Sequence, residues 1–228
     1  MCKVFSLLVV IAGFLSQANA ALLVKYEFNN DSDMGASFDT NVSSAAVDTS
    51  LTIQNGRIET AGLNQTLANT TSVANFFLKA NSSSVATISE ISFDARILSG
   101  LDGRASLNVF GLIGSFDNDG VFVADDENDE IGFVTPDFIL STTNPTSFSI
   151  KAGDTGVSNL PIVVSSGKVF QLTVSLYRNG SSIASASRPI VAMDNVAFSG
   201  AAVPEPASMA VFALVGLPVL ARRFARKV

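Results

Sequence analysis

The chain contains no histidine and no tryptophan, and its single cysteine is Cys2. Without histidine there can be no Ser-His-Asp triad and no histidine-ligated zinc or copper. Cys2 stands ahead of an apolar stretch that reads as the heart of a secretory signal, so the mature protein is expected to carry no cysteine. Cysteine nucleophiles, haem ligation by His or Cys, and disulfides are then excluded even in an oxidising compartment. Neither a GxxxxGK[ST] loop nor a GxGxxG turn between strand and helix is present. Carboxylate chemistry, Ser/Lys pairs and oxygen-ligated metals remain. The expectation is a protein that is not an enzyme.

Positive charge is also scarce. Of 14 Lys and Arg residues, Lys3, Arg222, Arg223, Arg226 and Lys227 lie in the two ends, leaving nine against 20 acids, a balance of −11. Such a surface repels nucleic acid and anionic headgroups, so no nucleic-acid partner is expected.

The ends carry addresses. Met1-Cys2-Lys3, the apolar Val4 to Leu15 and the small-x-small Ala18-Asn19-Ala20 form a signal peptide over 1–20, with cleavage after Ala20. At the other end Pro204-Glu205-Pro206 precedes an apolar run, Ala207 to Ala221, and a tail with Arg222 and Arg223. Two prolines keep the triplet extended, and the basic tail stays cytoplasmic. As a helix the run spans roughly 22 Å, short of the ~30 Å hydrocarbon core. This suits a transient anchor better than a permanent one.

The order Pro-Glu-Pro, apolar helix, basic tail resembles the PEP-CTERM sorting signal of Gram-negative bacteria, here 200–228. The resemblance implies an exosortase-type processing enzyme as partner, with Pro204, Glu205, Pro206, Arg222 and Arg223 as the recognised residues. It implies a precursor held transiently in the inner membrane and a product at the cell surface or in the extracellular matrix.

Between these ends, 21–199 reads as one domain by length. Its periodicity is two: Ile91, Phe93, Ala95 and Ile97 alternate with Ser92, Asp94 and Arg96, and Phe170, Leu172, Val174 and Leu176 with Gln171, Thr173, Ser175 and Tyr177. Asn55-Gly56 predicts a type I′ hairpin with Ile53 facing Ile58. Asn179-Gly180 predicts another, pairing Leu176 with Ile183. Asp102-Gly103 and Asp119-Gly120 predict turns of a meander from Ile91 to Val123. The fold class expected is all-β, an antiparallel β-sandwich of jelly-roll type with about ten strands. The signal peptide and a C-terminal transmembrane helix flank it, and the first and last strands pair.

Leu23 to Phe28 and Ile190 to Phe198 look like the terminal strands of PEP-CTERM ectodomains and of jelly-roll carbohydrate-binding modules. That resemblance implies a structural calcium held by Glu27 and Asp194. The plainer alternative leaves Glu27 in solvent and Asp194 bonded to a nearby loop. A second calcium candidate is the acidic run with Asp117, Asp119, Asp125, Asp126, Glu127, Asp129 and Glu130, although its spacing is not that of an EF-hand and a solvated acidic hairpin and loop is the favoured reading. No other cofactor is called for.

Sugar-binding sandwiches need exposed aromatic platforms, yet the tyrosines are only Tyr26 and Tyr177, and most of the 17 phenylalanines read as core. Adjacent Phe76 and Phe77 must face opposite sides of a strand. Elimination therefore favours a structural or interaction role at the cell surface or in the extracellular matrix. A carbohydrate-binding module, with exopolysaccharide as partner, is the alternative. A carboxylate-based glycan hydrolase or lyase ranks third, since it needs two carboxyls ~5–9.5 Å apart across a groove and neither Asp94 nor Glu90 is distinctive.

Overall fold

The computed structural model of the chain describes residues 20–29, 33–63, 72–99, 105–126, 131–132, 138–140, 146–151, 154, 160–178 and 188–204. The signal peptide up to residue 19, Glu205, Pro206, the C-terminal run with Arg222 and Arg223, the Asp102-Gly103 and Asn179-Gly180 turns, and Glu127, Asp129 and Glu130 lie outside these residues.

The described residues are all-β. In chain order the first eight segments are β1 (Ala21–Tyr26), β2 (Ala36–Ser37), β3 (Val42–Ser44), β4 (Asp48–Thr49), β5 (Thr52–Gln54), β6 (Arg57–Glu59), β7 (Val73–Ala80) and β8 (Ser84–Ser99). The remainder are β9 (Ala105–Phe116), β10 (Phe122–Ala124), β11 (Ile131–Gly132), β12 (Phe138–Ile139), β13 (Thr146–Lys151), β14 (Ile162–Val164), β15 (Val169–Arg178) and β16 (Ile190–Pro204).

They form two antiparallel sheets. Sheet I runs β13-β8-β16-β1-β2, with β14 beside β8 and the β5–β6 hairpin beside β16. Sheet II runs β10-β9-β15-β7-β3, with β11 and β12 beside β9 and β4 beside β7. The segments outnumber the ten strands expected because long strands face successions of short ones. The chain changes sheet at β2 to β3, β4 to β5, β6 to β7, β7 to β8, β8 to β9, β12 to β13, β14 to β15 and β15 to β16, an alternation consistent with a jelly roll.

The core lies between the sheets. Phe76 of sheet II meets the edge of Tyr26 of sheet I with centroids 5.2 Å apart, and Phe170 meets Phe198 at 5.8 Å. Such pairs contribute about 0.5–1.5 kcal/mol beyond their area burial. Ile91, Phe93, Ala95 and Ile97 of β8 all bury on this side, as their alternation requires. Gly111 admits the Phe170 ring, since a Cβ there would stand 2.4 Å from Phe170 Cε2.

The Asn55-Gly56 hairpin forms in the expected register, with Ile53 opposite Ile58 and positive φ at both turn residues (53° and 71°). The first strand pairs with the last, Ala21 opposite Gly200 and Tyr26 opposite Val196. Two expectations are corrected. The Ile91–Val123 meander does not exist, because β8 and β9 belong to different sheets; of its proposed pairings the β9–β10 hairpin alone forms, with Phe122 opposite Phe116. Leu176 has no edge left for Ile183: it pairs with Leu107 on one side, and its amide donates to the Ser72 carbonyl at 2.9 Å on the other.

Candidate functional site

The outer face of sheet II carries the most developed site. Strand parity sends Phe170, Leu172, Val174 and Leu176 into the core and turns Gln171, Thr173, Ser175 and Tyr177 outward. In β7 the same rule buries Phe76 in the core and turns Phe77 to the outer face, opposite Gln171. Phe77 is nevertheless only 3% exposed. Phe116 and Phe122 cover it, with ring centroids 5.2 and 6.0 Å away, and stand edge to face with one another at 6.3 Å. Both covering rings remain partly exposed. The result is a groove of about 570 Å³ walled by Ala45, Ala46, Asp48, Phe116, Val121 and Phe122, with Phe77 and Gln171 as its floor.

A row of bonded polar side chains runs alongside. Gln171 Nε2 donates to Thr173 Oγ1 (3.2 Å), Thr173 Oγ1 to Asn75 Oδ1 (2.8 Å), and Asn75 Nδ2 to Asp48 Oδ2 (3.2 Å). Each link fixes the next, so the amides are held in one orientation. Aromatic faces beside an oriented polar row can stack a flat apolar face and bond a hydroxylated edge.

The loop that brings in Phe122 is shaped by one of the predicted calcium candidates. Asp117 Oδ1 accepts the amides of Asp119 (2.9 Å) and Val121 (2.8 Å), and Gly120 takes φ 80°. Gly114 completes the seat, because a Cβ there would lie 2.1 Å from the Val123 carbonyl oxygen and 2.8 Å from Phe122 Cζ. Asp125, also in the acidic run, pairs with Lys168 at 2.7 Å, while Asp119 stays exposed.

The second candidate pair sits on sheet I. Glu27 is paired with Lys25 and accepts from Asn29 Nδ2 at 3.3 Å. Asp194 accepts its neighbour Asn195's amide at 2.7 Å and the amide of Phe28. It lies opposite Asp94 at a bulge where Asn195 takes φ 54°. Asp94 in turn accepts from Ser147 Oγ (2.6 Å) and Asn195 Nδ2 (2.8 Å). Burial pushes the Asp194 carboxyl up, as does the Asp94 charge, against the pull of its two amide donors. Asp94, Asp194 and Asn195 border a cavity of about 210 Å³ with Arg57 and Arg96; Glu27 does not line it. Among the described residues no group of three or more acidic side chains is placed to hold a metal ion. Ala20 is exposed immediately before β1, and Pro204 ends β16 opposite Ser84.

Neither tyrosine is a platform: Tyr26 is fully buried and Tyr177 is 4% exposed. The groove residues that sequence reading missed are Phe116 and Phe122. Their signal was a pair of phenylalanines flanking the Asp117–Val121 turn at equivalent strand parity.

No protein-family model matches the chain, and no curated protein matches it. Solved structures similar to it include the xylan-binding CBM22-1 domain of Xyn10C from Paenibacillus barcinonensis, at 12% identity over 80% of this chain and 96% of that one, TM-score 0.35. A carbohydrate-binding module described for specific mannan recognition, TmCBM27, is 9% identical over 81% and 99%, TM-score 0.34. The family 11 carbohydrate-binding module of Lic26A-Cel5E from Clostridium thermocellum is 12% identical over 82% and 97%, TM-score 0.32. Likeness at these values carries no function across.

Proposed function

We propose that the sandwich is a glycan-binding module of an exported surface or matrix protein, with the groove of sheet II as its sugar-binding face. The observation that carries this reading is the partly exposed Phe116–Phe122 pair over Phe77, set beside the bonded row from Gln171 to Asp48. A pyranose ring has apolar C–H faces and a hydroxylated rim, and this surface offers a partner for each. Among the described residues Asp48 is the one charged member of the groove lining, which favours an uncharged polymer over a polyuronate. The protein is a binder rather than an enzyme in this reading, and it reaches the matrix through exosortase-type processing of its C-terminal signal.

Affinity electrophoresis in gels containing xylan, mannan or β-glucan tests it. The wild-type domain should be retarded in at least one gel. The double variant Phe116→Ala/Phe122→Ala should migrate as in the blank gel while keeping its β circular dichroism. Unretarded wild-type protein in every neutral polysaccharide would sink the proposal.

A further inference from the structure

The wall of the groove has a break in its hydrogen-bond ladder. Ser44 of β3 pairs with Leu78 and Asp48 of β4 pairs with Asn75, so residues 45–47 bow away from β7 and Phe77, paired with Gln171 on one side, has no strand partner on the other. A buried amide and carbonyl cannot be left unpaired without a large cost. The missing partner comes from the other sheet. Tyr26 of β1 crosses the core and places its hydroxyl in the break: it accepts the Phe77 amide at 3.0 Å and lies 2.8 Å from the Phe77 carbonyl oxygen and 2.9 Å from that of Ala45. Its single proton serves one of those two carbonyls at a time.

We propose that Tyr26 is the positioning residue of the groove, its hydroxyl standing in for a strand residue and fixing Phe77 and Ala45 in the binding surface. This rests on the reading of that groove as the glycan face. Tyr26 touches no ligand; it acts through Phe77, on which Phe116 and Phe122 rest. Two further features fit the role. Gly35 leaves room for the ring, since a Cβ there would lie 2.9 Å from Tyr26 Cε1 and Cζ. Burial pushes the phenol well above its ordinary range, so its proton stays in place for the carbonyls.

The test compares Tyr26→Phe, which keeps the ring and removes the hydroxyl, with Phe198→Leu, a core change at the ring that packs edge-on against Phe170. Amide exchange by NMR and affinity electrophoresis are read on both. In Tyr26→Phe the Phe77 amide should exchange about tenfold faster or more, and affinity should fall about tenfold, the worth of one net hydrogen bond of roughly 1.4 kcal/mol. The amides of Phe76 and Leu78, whose strand is paired with β15, should keep their protection. Phe198→Leu should leave the Phe77 amide and the affinity unchanged even as it lowers the melting temperature. Gly35→Ala, which displaces the ring, should reproduce the Tyr26→Phe pattern. Wild-type exchange at Phe77 in Tyr26→Phe overturns the proposal, and so does an equal loss of affinity in Phe198→Leu. If the wild-type domain binds no polysaccharide, the glycan reading falls and exchange at Phe77 alone decides the role of Tyr26.

Discussion

Asp194 and Glu59 show how single carboxyls on one sheet are tuned in opposite directions. Burial pushes Asp194 up, its two amide donors pull it down, and Asp94 adds to the rise. Burial also raises Glu59, but bonds from Arg57, Gln54 and Asn55 overcome it and leave the carboxyl low. A carboxyl raised in the fold stabilises below its unfolded pKa and loses that contribution as pH rises through its folded value; a lowered one does the reverse. Asp194→Asn should therefore raise the melting temperature relative to wild type by more at pH 7 than at pH 4. Glu59→Gln should cost stability at pH 7, roughly 1 kcal/mol, and cost less as pH falls through the folded Glu59 value. Thermal melts of both variants across pH 3–8 check the two signs together. An advantage of Asp194→Asn over wild type that grew on acidification would contradict the environment described for Asp194.

At the scale of elements, the β9–β10 hairpin decides whether the groove exists. Phe116 and Phe122 face the same side because they are directly paired, and the Asp117 turn holds that pairing. Gly114 lets the returning strand lie close. Gly114→Ala would drive a methyl into the Val123 carbonyl and the Phe122 ring, so it should destabilise the fold by about 1–3 kcal/mol and weaken polysaccharide retardation as well. A urea melt together with affinity electrophoresis measures both; an unchanged melt would show that the hairpin shifts freely. The alternation in β8 and β15 and the Asn55-Gly56 turn were legible in the residues, because period and turn chemistry are local. The sheet to which each strand belongs was not. An alternating strand declares one apolar face, but it does not say which strand lies across from it, and so the β8–β9 meander was misread.

At the scale of the whole molecule, the first and last strands run side by side. β1 begins at Ala21 opposite Gly200, and β16 runs on to Pro204, the first residue of the Pro-Glu-Pro triplet. A bound calcium ion would act on stability at this scale. With Asp117 engaged by its own turn and Glu27 by Lys25, melting with and without a chelator is expected to coincide within about 1 °C. A calcium-dependent rise of several degrees would instead assign a bound ion, since a ligand that binds only the native state stabilises it by mass action.

The sequence by itself determined that this domain is built from strands with a buried and an open face. It also determined that histidine chemistry lies beyond the chain's reach, that its single cysteine stands outside the β domain, and that the first and last strands pair. Those follow from composition, from a two-residue period and from the resemblance carried by the two terminal segments. Tertiary structure alone decided that Phe116 and Phe122 stand on a surface while Phe76, rather than its neighbour Phe77, fills the core, and that Tyr26 serves a wall rather than a platform. A phenylalanine is equally apolar in either place. Which one it occupies depends on the parity of a strand relative to partners far away along the chain, and that relation exists only once the sheets have closed on each other.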